Sequence, residues 1–546
     1  MRLPLLIVLA VVAAAYAGAP NAGFVWDDHA IFEENRALSD PNVADLLLKD
    51  LWCCTISPTS PYHRPLLALS FLFDRSLFGL SAGWAHIHSV LWHLMAVTLV
   101  ATLLRPRVGA PRALLAAAIF GLHPIQSEAV MWISARNDLM VSVGVLATLV
   151  TVDQRRPGLA AACAALACLS KESGYLLPVF VLLWRFTWAE RPQRTDLGVL
   201  VGLGAALLLR SQAMLGGLPE GHVDSGFSSA SALNGIVAVL GWVSWPWPLT
   251  STASLYMTTR TAADWLAALA TIGGAAAIGR ARPRTIGLLV LAFVALAPSA
   301  MGVRWYATIG ERYLYLPMFG IATAVAVAVP TGRRWLTVGA AGAVAAVVAL
   351  TIRLPDWATE ESLFEAAVLR TPDGNAWWLY AIELQRQGKV GRSMAAYDKA
   401  LAAEPPHLRS CKAVSSVADE VLPDDIYRSM TERWAGRCAG FDGFDGARTL
   451  AFASRGMWDD AARTAIPDRE GRDVVVLGAL EARDGDLLGL AARGLRWAKG
   501  PADLVDLTLL VINSRRSADD PEAREVPAAA GGAPDLDGQK LDAPSP

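Results

Sequence analysis

Asp27 and Asp28 stand side by side after Trp26, where an apolar run from Leu3 gives way to polar sequence. A carboxylate at the edge of a membrane span is costly unless it is solvated or paired, so this doublet is a candidate for chemistry. One aspartate, ordinarily ionised above a pKa of about 3.9, can take the proton of an acceptor hydroxyl. The other orients the acceptor or holds a divalent cation such as magnesium or manganese. No other spacing in the chain points to a metal site. Arg64, Arg136, Lys171 and Arg312 are the cations to compensate a phosphate, and arginine suits that task through its planar fork of donors. Glu128, Asp138, Glu172 and Glu311 lie within a few residues of them, and His123 and Tyr313 complete the set. An aspartate can also end a helix as a cap, and each ion pair can simply bury charge at a loop junction. Gathered on one side of a membrane, the set lines a site.

The elements that must position these residues are membrane spans. Of 546 residues 54% are hydrophobic and 18% charged, below the roughly 25% charge usual in soluble domains. The apolar residues collect in blocks before about residue 354. A retained first span over Leu3–Phe24 is followed by a long external loop, residues 21–86, with amphipathic pieces Val43–Trp52 and Leu66–Phe78. Later spans are expected over 87–104, 113–122, 139–152, 159–169, 175–188, 197–209, 265–278, 286–301, 315–329 and 336–352. That makes about eleven spans. The block 233–249, with Trp242, Trp245, Pro246, Trp247 and Pro248, reads as re-entrant or interfacial. Connections rich in arginine alternate with connections carrying His, Glu and Asp, so the positive-inside rule places every acid/base candidate outside the cytoplasm. Basic residues therefore set orientation, not nucleic-acid binding.

From Asp373 the pattern changes. Small and aromatic residues at Ala376, Trp378, Tyr380, Gly388, Tyr397, Ala400 and Pro405 match a tetratricopeptide repeat, preceded by a helix over 363–372. The expectation is a short tetratricopeptide-like α-solenoid over residues 355–514, worn at 456–465 and 477–499, offering a protein-binding surface. A disordered tail rich in Pro, Ala, Gly and Asp follows over 515–546. Cys411 and Cys438 form a disulfide or remain two buried thiols.

Phe24-Val25-Trp26-Asp27-Asp28, Tyr62-His63-Arg64-Pro65-Leu66, His123-Pro124-Ile125 with Glu128-Ala129-Val130, Arg136-Asn137-Asp138-Leu139, Leu169-Ser170-Lys171-Glu172 and Glu311-Arg312-Tyr313-Leu314-Tyr315-Leu316-Pro317 occur in that order. With the repeat-like tail, the chain resembles the transmembrane-and-tetratricopeptide protein O-mannosyltransferases and their bacterial relatives, members of the GT-C superfamily of membrane glycosyltransferases. The resemblance implies an all-α polytopic bundle that moves a sugar, mannose or similar, from a polyprenyl-phosphate donor to an extracytoplasmic acceptor. That acceptor would be a protein Ser/Thr hydroxyl or a surface glycan, met through the repeat domain. It places the family's acidic signature on Asp27 and Asp28. The Ala- and Arg-rich, lysine-poor composition suggests a bacterium, and so an inner or plasma membrane. The chain departs from the family at Gln126-Ser127-Glu128, where His-Thr/Ser-Glu is usual, and in its short repeat array. The competing readings are a transporter or flippase of lipid-linked sugar and an inactive membrane-anchored scaffold. The long first loop and the one-sided acid/base set favour the enzyme, since transporters more often show internal repeats and charges within their spans.

Overall fold

The computed structural model describes residues 2–41, 43–55, 62–213, 229–244, 261–297, 308–330, 332–403 and 423–438, with short pieces at 246, 249, 253–254, 410–411 and between 444 and 461. The chain forms two units, Met1–Pro405 and Pro406–Pro546. The first is a helix bundle. Its apolar helices are Arg2–Ala15, Ala82–Val108, Ala110–Leu122, Arg136–Asp153, Pro157–Ser170, Leu177–Thr187, Leu197–Ala213, Ala262–Ala281, Thr285–Ala295, Pro317–Ala328 and Arg333–Arg353. Each falls on a segment read as a span from sequence.

Length separates them. Among the described residues six helices are long and apolar enough to cross a membrane, and a seventh forms if Ala110–Leu122 and Pro124–Met131, bent by 54°, act as one. At 1.5 Å per residue, helices such as Pro157–Ser170 and Pro317–Ala328 fall short of a hydrocarbon layer of about 30 Å. The shortfall has a local cause. The 3-10 turn Glu172–Leu176 takes the first two residues of the span expected over 175–188, and the turn Glu311–Leu314 stands just before Pro317–Ala328, so both bring polar residues to the helix ends. The block expected to be re-entrant is a 16-residue helix, Ser229–Ser244, also too short to cross alone; Trp245, Trp247 and Pro248 lie outside the described residues.

Small residues let the backbones approach, as they do in lipid, where packing rather than water exclusion joins helices. A Cβ on Gly144 would sit 2.7 Å from the Ala167 Cβ, and one on Gly202 would sit 2.1 Å from the Ala161 oxygen. Helix Pro157–Ser170 is therefore clasped on two sides.

Charged clusters stand at both ends of helix Arg136–Asp153. At the Asp153 end of Arg136–Asp153, Arg107 and Arg185 close on Asp153 and Glu190, and Arg185 also on Asp196. At the Arg136 end stand Asp138, Lys171, Glu172 and Arg64. The first loop is folded over this second end. Ile31, Phe32, Leu38, Leu46, Leu51, Leu67 and Phe71 build a core with Ile133 and Met140. Helices Val43–Leu48 and Pro65–Phe78 occupy the expected amphipathic pieces, and Phe73, Leu77, Leu80 and Trp84 remain exposed, as an interfacial segment requires.

Beyond the last apolar helix come Glu360–Arg370, Gly374–Arg386 and Val390–Ala402. The latter two pack on each other across a turn in which Gly388 has φ +70°, a conformation that favours glycine. All three lie in the first unit, so the compact division falls after Pro405 rather than at the composition change near residue 354. Trp357 and Phe364 explain why: both are buried, and the Gly23 amide donates to the Ala358 carbonyl at 3.0 Å. In the second unit Cys411 and Cys438 form a disulfide, and Arg428 of helix Asp424–Arg437 pairs with Asp460 at 2.7 Å. The worn repeats read at 477–499 and the tail at 515–546 lie outside the described residues, as does most of 456–465.

Candidate active site

The two aspartates have different surroundings. Asp28 is fully buried and saturated: it accepts from the Val25 amide at 3.2 Å, the Ser134 amide at 2.8 Å and the Ser134 hydroxyl. Burial pushes its carboxyl up, against the pull of those donors. Between Val25 and Asp28 the chain reverses through Trp26, whose φ of +57° is unfavourable for a bulky side chain. The Trp26 ring is held by stacking on Trp132 at 5.2 Å and by an edge contact with Phe364 at 6.1 Å. This reversal turns Asp28 inward and leaves Asp27 half-buried, with no hydrogen-bond partner among the described residues. Burial raises the Asp27 carboxyl, Arg312 and then Arg64 pull it down, and Glu360 pushes it up, leaving it at about 6.

Arg312 and Arg64 act on it, Lys171 stands with those two, and each of the three cations has its own carboxylate. Arg312 is bound to Glu128 through its guanidinium and, at 3.2 Å, through its backbone amide. The same guanidinium lies over the rings of Trp132, at 4.6 Å, and Tyr313, at 4.8 Å. Arg64 grips Glu172 with both arms of its fork, 2.7 Å at the shortest, and stacks over Tyr62 at 4.4 Å. Lys171 pairs with Asp138 at 2.5 Å and stands 5.5 Å from the Tyr313 ring. Burial holds the Lys171 ammonium below its usual range, against Asp138 and with the help of Arg64 and Arg312. The structure thus gathers Asp27, Arg64, Glu128, Asp138, Lys171, Glu172, Arg312 and Tyr313 into one cluster.

Three expected members lie elsewhere. Arg136 is fully buried and turned inward, bound to Asp74 at 2.7 Å, Ser70, Ser89 and the Ala85 carbonyl. Glu311 is fully buried against Arg353 at 2.8 Å; burial, against that arginine, pushes its carboxyl up. His123 sits at the break between two helices, where its ring accepts from the Ile125 amide at 3.3 Å. Sequence reasoning missed Ser134 and Trp132. The only signal for either was its place between the Glu128 and Arg136 motifs.

Of the doublet expected to hold a divalent cation if one binds, Asp28 already accepts from Ser134 at Oδ1 and from Val25 at Oδ2, whereas the Asp27 carboxylate accepts no hydrogen bond among the described residues. Among the described residues no three His, Cys, Asp or Glu side chains are grouped to hold a metal.

Protein O-mannosyl-transferase Tmtc1 of Drosophila melanogaster is 34% identical over 131 residues, 23% of this chain and 15% of that protein. Protein O-mannosyl-transferase TMTC3 of Mus musculus is 30% identical over 145 residues, 26% of this chain and 16% of that protein. Tmtc2 of Drosophila melanogaster is 33% identical over 138 residues, 24% of this chain and 15% of its own length. The match spans about a sixth of the length of these curated relatives. No family model and no solved structure matches the chain. The similarity, low in identity and confined to about a quarter of the chain, falls on the protein O-mannosyl-transferases, the family its ordered motifs resemble.

Proposed function

We propose that the chain is a membrane glycosyltransferase that moves a hexose from a polyprenyl-phosphate carrier to a hydroxyl acceptor, with Asp27 as general base. The observation that carries this reading is one carboxylate without a hydrogen-bond partner that feels Arg312 and Arg64, in a cluster whose cations, Lys171 included, each already hold a partner. The acceptor oxygen attacks C1 of the sugar while its proton passes to Asp27. The bond from C1 to the carrier phosphate breaks, and the departing phosphate gains charge beside Arg312, Lys171 and Arg64. A cation already paired with a carboxylate still contributes donors, and Arg312, spread over two aromatic faces, keeps a fixed plane.

A lipid tail has a place to lie. A cavity of about 370 Å³ is lined by Leu66, Leu69, Phe73, Trp92, Val143 and Leu166, and it is apolar almost throughout. Its rim includes Ser170, the neighbour of Lys171, so a chain in the groove would bring its phosphate towards the cations. Mannose is the sugar suggested by the relatives' names, and the acceptor would be protein Ser/Thr or a surface glycan. The helical segments after residue 360 are the candidate acceptor-binding part.

Sidedness follows from chemistry. The first loop touches Ala358, Glu360 and Phe364, so the site and the segment after the last apolar helix share one side. Helices Gly374–Arg386 and Val390–Ala402 are too short and too charged to cross back before Cys411. A disulfide in that tail belongs to an oxidising compartment, which supports an extracytoplasmic site in a plasma membrane. Non-reducing electrophoresis of protein trapped with a thiol reagent should show Cys411 and Cys438 blocked until reduction; free thiols would place the site in the cytoplasm.

The test of function is glycoprotein and glycan profiling of a deletion strain restored with wild type or with Asp27→Asn. A hexose-bearing product should return only with wild type, and its return with both would remove the reading. Arg312→Lys keeps the charge but loses the fork and the stacking on Trp132. Transfer should fall about 10- to 100-fold, read as initial rate with purified protein and a polyprenyl-phosphate mannose.

A further inference from the structure

Asp27 makes no hydrogen bond of its own among the described residues, so its place is set by the turn that carries it. That turn contains a tryptophan in the left-handed region, a conformation that persists only where surrounding structure over-determines it. One set of restraints is the Asp28–Ser134 contact inside the bundle. The other comes from the far end of the sequence. The Gly23 amide donates to the Ala358 carbonyl at 3.0 Å, and a Cβ on Gly23 would press on that oxygen at 3.1 Å. Phe364 meets the edge of Trp26. His29, two residues past Asp27, bridges two carboxylates: Glu33 within its own turn, and Glu360 at 3.0 Å, at the start of helix Glu360–Arg370. Glu360 also receives Arg386 at 3.3 Å from the next helix, so the bridge joins the turn to two helices of the C-terminal segment.

We propose that the helical segment after the last apolar helix is a working part of the active site, and that the His29–Glu360 bridge is the positioning contact that holds the Asp27 turn. The proposal rests on reading Asp27 as the base. His29 and Glu360 touch no reacting atom in it; they act through the turn, and Glu360 also raises the Asp27 carboxyl through its charge. The groups facing the imidazole are Glu33 and Glu360, which together keep it protonated at neutral pH, and those facing Glu360 are His29 and Arg386. The acidic partner, rather than a backbone carbonyl, gives the contact a charge that a hydrogen bond within the loop would not need.

The experiment compares His29→Gln, Glu360→Gln and their combination in the full chain, with polyprenyl-phosphate mannose as donor and a Ser/Thr-rich peptide as acceptor probe. Each single variant should lower kcat about tenfold and leave KM for the donor unchanged, because the cations that bind donor are untouched. The double variant should be no slower than the slower single, since both remove one contact. Unchanged kcat in both singles, additive losses, or a rise in donor KM with unchanged kcat would each overturn the proposal. If the singles fail to fold in detergent, Phe364→Leu reads the same coupling through Trp26, again as kcat loss at constant donor KM. Asp27→Asn run alongside separates the failures. Activity in that variant removes the base itself, whereas an inactive Asp27→Asn beside unaffected bridge variants removes only the positioning role.

Discussion

Asp27→Asn lowers transfer by about 10²- to 10⁴-fold, the range a lost general base costs, and leaves the fold intact. The fold survives because Asp27 takes no hydrogen-bond partner among the described residues and the amide has the same shape. Asp28→Asn behaves differently. Its Oδ1 can still accept from Ser134, but the new NH2 faces the Val25 amide, donor against donor. That variant loses about 1–3 kcal/mol of stability and part of its activity through a loosened turn. The pH profile separates the two residues further. A base works when deprotonated, so wild-type rate should rise with pH through about 6, where burial and the opposing pull of Arg312 and Arg64 leave Asp27. Asp28→Asn should keep that acid limb and Asp27→Asn should lack it. Initial rates between pH 4.5 and about 8, with melting in detergent as control, decide the matter. Equal loss in both variants, with equal loss of stability, would return the doublet to a structural cap.

The doublet was legible because two acids at a membrane edge are costly, but their division of labour was not. It depends on a left-handed Trp26 and on Ser134, more than a hundred residues away. The helices were legible for a simple reason: eleven apolar blocks became eleven helices. Their ends were not, since the 3-10 turn Glu172–Leu176 takes the first residues of the block read as a span over 175–188. The cluster of Arg64, Lys171, Arg312 and their carboxylates followed from charge sidedness alone. The boundary near residue 354 followed composition, whereas packing follows Trp357 and Phe364, whose contacts composition does not register. His29 and Glu360 are 331 positions apart, and nothing local in either stretch announces the bridge.

Arg136, expected among the donor-binding cations, is turned into the interior, and it yields the second large effect. Residues two apart on a helix point about 200° from each other, so Arg136 and Asp138 could not both face the donor. The structure sends Asp138 to Lys171 and Arg136 into the interior, where it meets Asp74, Ser70, Ser89 and the Ala85 carbonyl with no exposed surface. Asp74 lies within helix Pro65–Phe78 and also binds His88 at 2.6 Å. Removing the arginine strands a buried carboxylate, so Arg136→Ala should cost about 3–5 kcal/mol, at the lower end because His88 still faces Asp74. Low yield and early melting in detergent are the expected signs. Replacing both partners, as Asp74→Leu with Arg136→Met, removes both charges and should recover most of the stability, a non-additive result expected of residues in contact. The activity of that double variant is then decisive. If Arg136 only braces the start of the helix that presents Asp138, next to the turn that holds Ser134, the stable double variant transfers sugar within a few-fold of wild type. If Arg136 meets the donor phosphate, the double variant is folded and idle, and the cluster around Asp27 needs a fourth cation that the present geometry keeps buried.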